Sequence, residues 1–99
     1  MSAYVIFIRD RITDQSELDL YAVGARAARG DHPITPLAFY GAAETLEGSP
    51  ADGVVILAFP HMEAARAWYH SPAYQAARAH RLKGGDYRVI LTDGVVPAK

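Results

Sequence analysis

Two charged residues are the first candidates for chemistry. Arg81 closes the helical spacing Tyr74, Ala77, Arg81, which is otherwise apolar, and Asp14 opens an earlier helical run. An arginine at the end of an apolar face can clamp a carboxylate or a phenolate with its forked donors. Asp14 could then serve as a base or orient that arginine. The plainer reading of the same pair is a helix cap plus a structural ion pair. Tyr21 and Tyr74 could line a pocket and offer hydroxyls to a ligand. They could equally pack in the core with the hydroxyl at its rim, as buried aromatics do. Trp68 is expected as a core or interface anchor and a candidate pocket wall.

Histidine is the natural proton carrier near neutral pH. His61, at a strand-to-helix junction, and His32, in a connection, are better placed for function than His80. His61 and His70 would fall on opposite sides of a continuous helix. No His-x-x-x-His pair exists, so no metal site is predicted. Ser71 lacks the Gly-x-Ser-x-Gly elbow of a nucleophile, and a capping role accounts for it. There are no cysteines, which removes disulfides, thiolate catalysis and thiolate metal sites together. The candidates for catalysis are Asp14, Arg81 and His61, and those for ligand binding are Tyr21, Tyr74, Trp68 and Arg81. No cofactor is expected.

These residues need elements to position them. Tyr4-Val5-Ile6-Phe7-Ile8 is β-branched and aromatic and reads as a strand with two apolar faces. Asp14-Gln15-Ser16-Glu17 starts a helix in the manner of a capping box. Leu18, Tyr21, Ala25 and Ala28 continue it, and Gly30 stops it. Gly24 inside that helix would permit a close backbone approach. A second strand is expected over Leu37–Glu44, perturbed at Gly41. Val54–Phe59 is a continuous apolar run, the mark of a strand buried on both faces. After the strand end at Phe59 comes a short helix whose apolar face takes Met62, Ala65 and Trp68 or Tyr69. Ser71-Pro72 then breaks and restarts the helix, because proline suits a first turn and serine caps it. Lys83-Gly84-Gly85-Asp86 is expected as a turn and Tyr87–Thr92 as the last strand. Val95–Lys99 is a tail that extends this strand or docks on a neighbour.

The order β-α-β-β-α-β is the ferredoxin-like split arrangement: an α+β fold with a four-stranded antiparallel sheet and two helices on one face. The 99 residues allow one domain over 1–99. Strands that are apolar on both faces, under helices that cover only one, leave an apolar sheet face in water. Such a patch marks an interface. A two-fold homodimer with the sheet faces together is the simplest cover. A formal net charge of −1 and no basic run argue against a nucleic-acid partner. No apolar stretch is long enough to span a bilayer. Met1-Ser2-Ala3-Tyr4 enters the strand pattern with no basic leader, so no signal peptide and a cytoplasmic location are expected.

The run Glu63-Ala64-Ala65-Arg66-Ala67-Trp68-Tyr69, followed by Ser71-Pro72, Tyr74-Gln75 and Arg81, resembles the signature of a bacterial family of domains of unknown function in the dimeric α+β barrel superfamily. The likeness extends to Ala3-Tyr4-Val5-Ile6, Thr13-Asp14, Tyr21, Leu46-Glu47-Gly48, Phe59-Pro60 and Gly94. It implies a ferredoxin-like protomer and a homodimer with a pocket between each sheet and its helices. The wider superfamily includes cofactor-free monooxygenases and small isomerases, alongside haem enzymes and proteins with no known reaction. The function implied is therefore a homodimeric small-molecule-binding protein; if it is an enzyme, the chemistry implied is cofactor-free proton transfer or oxygenation of a small aromatic or carboxylate compound. The rival is a non-catalytic metabolite-binding or structural dimer. Two departures stand out: His61 replaces the usual cap, and Asp31–Pro36 replaces a glycine-rich entry to the second strand.

Overall fold

The structure is a computed structural model that describes residues 2–95. Its elements follow as β1 (Ala3–Ile12), α1 (Gln15–Ala28), β2 (Thr35–Phe39), β3 (Gly53–Phe59), α2 (Met62–Tyr69), α3 (Pro72–Gly84) and β4 (Gly85–Asp93). All strand pairs are antiparallel and the sheet order is β2-β3-β1-β4. This is the ferredoxin-like arrangement expected from the element order, its second helix divided at Ser71.

Alternation along the strands sorts side chains onto two faces. Val5, Phe7, Val55, Leu57 and Phe59 are buried beneath the helices. Tyr4, Ile6, Ile8, Val54 and Ile56 point the other way and are half-buried. Ile56, Ile6 and Ile90 stand in one register row on that open face, and Ile90 is 48% exposed.

The helix starts are set by capping. The Asp14 carboxylate accepts from the Ser16 and Glu17 N–H groups, and the His61 Nδ1 accepts from Ala64 N–H. The Ser71 hydroxyl accepts from Tyr74 N–H, with Pro72 in the first turn of α3. Gly30 leaves α1 at φ +46°, the left-handed exit that favours glycine. Helix α1 packs along α3 and makes little contact with the sheet. A Cβ on Gly24 would come 2.9 Å from the Ala77 Cβ, so this glycine sets how closely the two helices approach.

Several boundaries differ from the sequence reading, and β1 runs on past Ile8 to Ile12. The second strand is Thr35–Phe39 rather than Leu37–Glu44, because Tyr40 turns the chain away at φ +53°. The positive φ falls on Tyr40 and not on Gly41, and residues 41–52 form neither helix nor strand. The expected turn at Lys83–Asp86 is absent: α3 runs to Gly84 and β4 begins at Gly85. Of the expected tail, residues 96–99 lie outside the described residues.

Candidate functional site

The gap between α1 and the helix side of the sheet is a cavity of about 430 Å³. Its volume falls in the range of small-molecule pockets. Helix α1 contributes Leu18, Tyr21, Ala22 and Ala25. The sheet contributes Phe7, Arg9, Val55 and Leu57, and Trp68 and Tyr87 complete the inner wall. Phe39 and Tyr40 border the mouth at the end of β2. Strand alternation would send the two to opposite faces, but both face this cavity, although Phe39 is 68% exposed.

The sheet register assembles one part of the wall. Gly53, Arg9 and Tyr87 are cross-strand partners in a single row across β3, β1 and β4. Because Gly53 has no side chain, the Tyr40 ring folds over it, and a Cβ there would lie 2.7 Å from Tyr40 Cδ1. The Arg9 guanidinium stacks on that ring at 4.4 Å and its Nε donates to Asp52 at 2.7 Å. The Tyr40 and Tyr87 hydroxyls are hydrogen-bonded at 2.9 Å. Burial pushes the Tyr40 pKa well above the ordinary tyrosine value, the bond to Tyr87 acts in the same direction, and Arg9 opposes both.

A second tyrosine pair lies beside it. The Tyr21 and Tyr74 hydroxyls are 2.9 Å apart and their rings meet edge to face. Tyr21 is on the cavity wall, whereas Tyr74, at 0% exposure, sits behind it and tilts against Trp68. Burial raises the pKa of both phenols; at Tyr74 the bond to Tyr21 and the nearby Arg81 charge partly offset it. Tyr21, Tyr40 and Tyr74 therefore stay protonated near neutral pH and act as hydrogen-bond donors rather than bases.

Arg81 links the two pairs. It is 3% exposed, and its Cζ lies 5.1 Å from the Tyr87 ring centre, 5.6 Å from Phe7 and 5.9 Å from Tyr21. All three rings also form the cavity wall. Arg81 forms no ion pair among the described residues, and its Nε is buried without a hydrogen-bond partner. A buried cation without a counter-ion is costly, so it is an unusual feature to retain.

The ion pair considered between Asp14 and Arg81 is not formed. Asp14 is exposed, and its carboxylate caps α1 and takes the Ser16 hydroxyl at 2.5 Å. His61 is likewise an exposed helix cap away from the cavity wall. Of the residues singled out from the sequence, Tyr21 and Trp68 line the cavity and Tyr74 and Arg81 stand directly behind it. Arg9, Tyr40 and Tyr87 were missed. The register that joins them is a tertiary fact, although Gly53 opening an apolar strand was a signal of close approach. No group of three or more histidine or acidic side chains that could hold a metal occurs among the described residues. No helix among them is long and apolar enough to cross a membrane.

With this geometry in view, comparison with known proteins places the chain. The family model described as Domain of unknown function (DUF1330) matches residues 2–95, and the chain belongs to that family. No curated protein matches the sequence. Among solved structures, it is similar to RPA0582 of Rhodopseudomonas palustris, a protein of unknown function, at a TM-score of 0.76 and 18% identity over 97% of this chain and 84% of that one. It is similar to SnoaB, a cofactor-independent oxygenase from Streptomyces nogalater, at 0.61 and 12% over 97% and 94%. A dimeric protein of unknown function with a ferredoxin-like fold from Bacteroides fragilis scores 0.58 at 10% identity over 94% and 96%. At these identities the likeness is one of fold.

Proposed function

We propose that this protein is a homodimeric small-molecule-binding protein whose ligand, a small oxygen-bearing aromatic or carboxylate compound, occupies the cavity between α1 and the sheet. The observation that carries this reading is the cavity itself: about 430 Å³, walled by aromatic rings, with protonated phenols and a guanidinium on or behind its wall. Rings offer stacking area, and the few polar groups fix orientation. Tyr21, Trp68, Tyr74 and Arg81 are the proposed binding set. The homodimer would join the open sheet faces through Ile6, Ile56 and Ile90. The dimeric ferredoxin-like neighbour from Bacteroides fragilis lends support.

The wall also bears on chemistry. Its Tyr21 and Tyr40 phenols are held neutral and Asp14 and His61 stand elsewhere, so it stabilises negative charge better than it removes a proton. That favours binding without catalysis. An enzymatic role would be oxygenation of an electron-rich aromatic, by analogy with SnoaB, a cofactor-independent oxygenase. Nuclear magnetic resonance titration with small arenes tests the binding reading. Saturable shifts confined to Tyr21, Trp68 and their neighbours are expected; shifts scattered over the surface would sink it. Oxygen uptake with a bound hydroquinone separates the enzyme from the binder.

A further inference from the structure

We infer that Arg9, Tyr40 and Tyr87 form an anion subsite within this cavity, and that the ligand carries a negatively charged oxygen, a carboxylate or a phenolate, against it. The inference rests on the cavity being a ligand site and names the charge and the residues that recognise it.

Counting hydrogen-bond donors leads there. Two tyrosine hydroxyls carry two O–H donors, and the single contact between Tyr40 and Tyr87 uses one. No further hydrogen bond from either hydroxyl occurs among the described residues, so one phenolic proton is left over in a half-buried position on the cavity wall. Which tyrosine presents it depends on which one donates within the pair. The Arg9 guanidinium lies across the same site. Asp52 takes only its Nε, and the Asp52 side chain is 45% exposed, so solvent weakens that neutralisation. A guanidinium and an unused O–H on one wall are complementary to an anionic oxygen and poorly matched to a neutral ring.

The rest of the wall agrees in sign. Arg26 and Arg29 join Arg9 on it, against Asp19 as its carboxylate, and Arg81 lies behind Tyr87. The backbone adds an independent mark. Tyr40 is the one non-glycine residue at positive φ among the described residues, and its ring is seated on a glycine that leaves room for nothing larger. Left-handed backbone at a bulky residue is unfavourable and persists where the surroundings demand a placement, which is common at binding sites.

The test uses 2-naphthoate and its neutral counterpart 2-naphthamide as probes of the full chain, with 2-naphthol near its own pKa as the phenolate arm. The wild-type protein is expected to bind naphthoate at least tenfold more tightly than the amide. Tyr40→Phe and Tyr87→Phe singly leave one hydroxyl and its proton in place, so each should weaken naphthoate less than threefold. The double variant removes both and should weaken it at least tenfold, with amide affinity unchanged. Arg9→Met should abolish the preference for charge, and Arg9→Lys should restore part of it. Naphthol that tightens as it ionises would assign the phenolate form, and naphthoate alone showing the preference would assign the carboxylate. Equal binding of amide and naphthoate, or a double variant within twofold of wild type, overturns the subsite while leaving the cavity reading standing. No binding of any of the three overturns both.

Discussion

The Tyr40 ring occupies the space that a side chain at position 53 would need. A Cβ on Gly53 would meet Tyr40 Cδ1 at 2.7 Å, Cε1 at 3.0 Å and an Arg9 guanidinium nitrogen at 3.3 Å. Gly53→Ala must therefore displace the ring or the arginine. The expected loss of stability is about 1–3 kcal/mol, the usual penalty of overpacking. Urea unfolding measures it. The same variant should lose naphthoate affinity, and a variant as stable as wild type would show that the ring moves freely.

Arg81 is the next test. In a buried ion pair, removing one partner costs about 3–5 kcal/mol because the other charge is stranded. Arg81 has no such partner among the described residues, and its Nε is already unsatisfied. Arg81→Met should therefore leave the ligand-free protein within about 1 kcal/mol of wild type, or raise its stability, since a buried orphan donor itself costs about 1–3 kcal/mol. Ligand affinity should fall. Thermal unfolding with and without ligand separates the two effects. A large loss of stability without ligand would make Arg81 a structural residue.

Asp14 is predicted to matter for folding and not for binding. Its pKa is lowered by the bond from the Ser16 hydroxyl, with the Ser16 and Glu17 N–H groups acting in the same direction. The sign follows: a carboxylate depressed in the folded state contributes stability above its unfolded pKa and loses it as pH falls through the folded value. The contribution is thus complete above about pH 4 and fades below it. Asp14→Ala should lower the melting temperature at pH 7 and show a weaker acid dependence below pH 4. Asp14→Ser should keep most of the cap and lack that acid dependence. Neither should alter ligand affinity, and a loss of binding in Asp14→Ser would reopen a functional role.

The proposed dimer depends on the open face. Ile6 stands between Ile56 and Ile90 in one row of that face, and Ile56 adjoins it on β3. Ile56→Lys should convert a dimer to a folded monomer in sedimentation equilibrium, with the circular dichroism spectrum retained. A wild-type protein that sediments as a monomer at micromolar concentration would remove the dimer from the proposal.

The sequence made parts of this molecule legible because they are local. Asp14, Ser71 and Pro72 announce helix starts through caps that act within three residues, and the structure places them there. The buried spacing of Tyr74, Ala77 and Arg81 was readable as one helix face. The second strand was misplaced because Leu37–Glu44 looks like an apolar strand, while its true end is fixed by the left-handed turn at Tyr40. Gly41 marked a perturbation in this stretch, but the left-handed residue is its bulky neighbour Tyr40, whose type does not signal it. The site was half visible for the same reason. Tyr21, Trp68, Tyr74 and Arg81 sit on helices whose periodicity shows their inward faces. Arg9, Tyr40 and Tyr87 meet only through strand register, and Asp14 looked like a partner for Arg81 although its carboxylate serves its own helix.

The direct passage of α3 into β4 at Gly84 and Gly85 gives the two ends of the cavity different origins in folding. Arg81 and Tyr87 belong to one uninterrupted segment, so their proximity closes only a small loop and demands little chain entropy. The opposite end joins Arg9 to Asp52 and Tyr40 to Tyr87, across 43 and 47 residues of chain. Contacts of that span form late when loop closure limits the rate. The Arg81–Tyr87 contact behind the wall is thus a local product of the chain, and the Arg9–Tyr40 end a global one. Lengthening or shortening residues 41–52 would retune the mouth of the cavity while leaving the Arg81–Tyr87 contact in place.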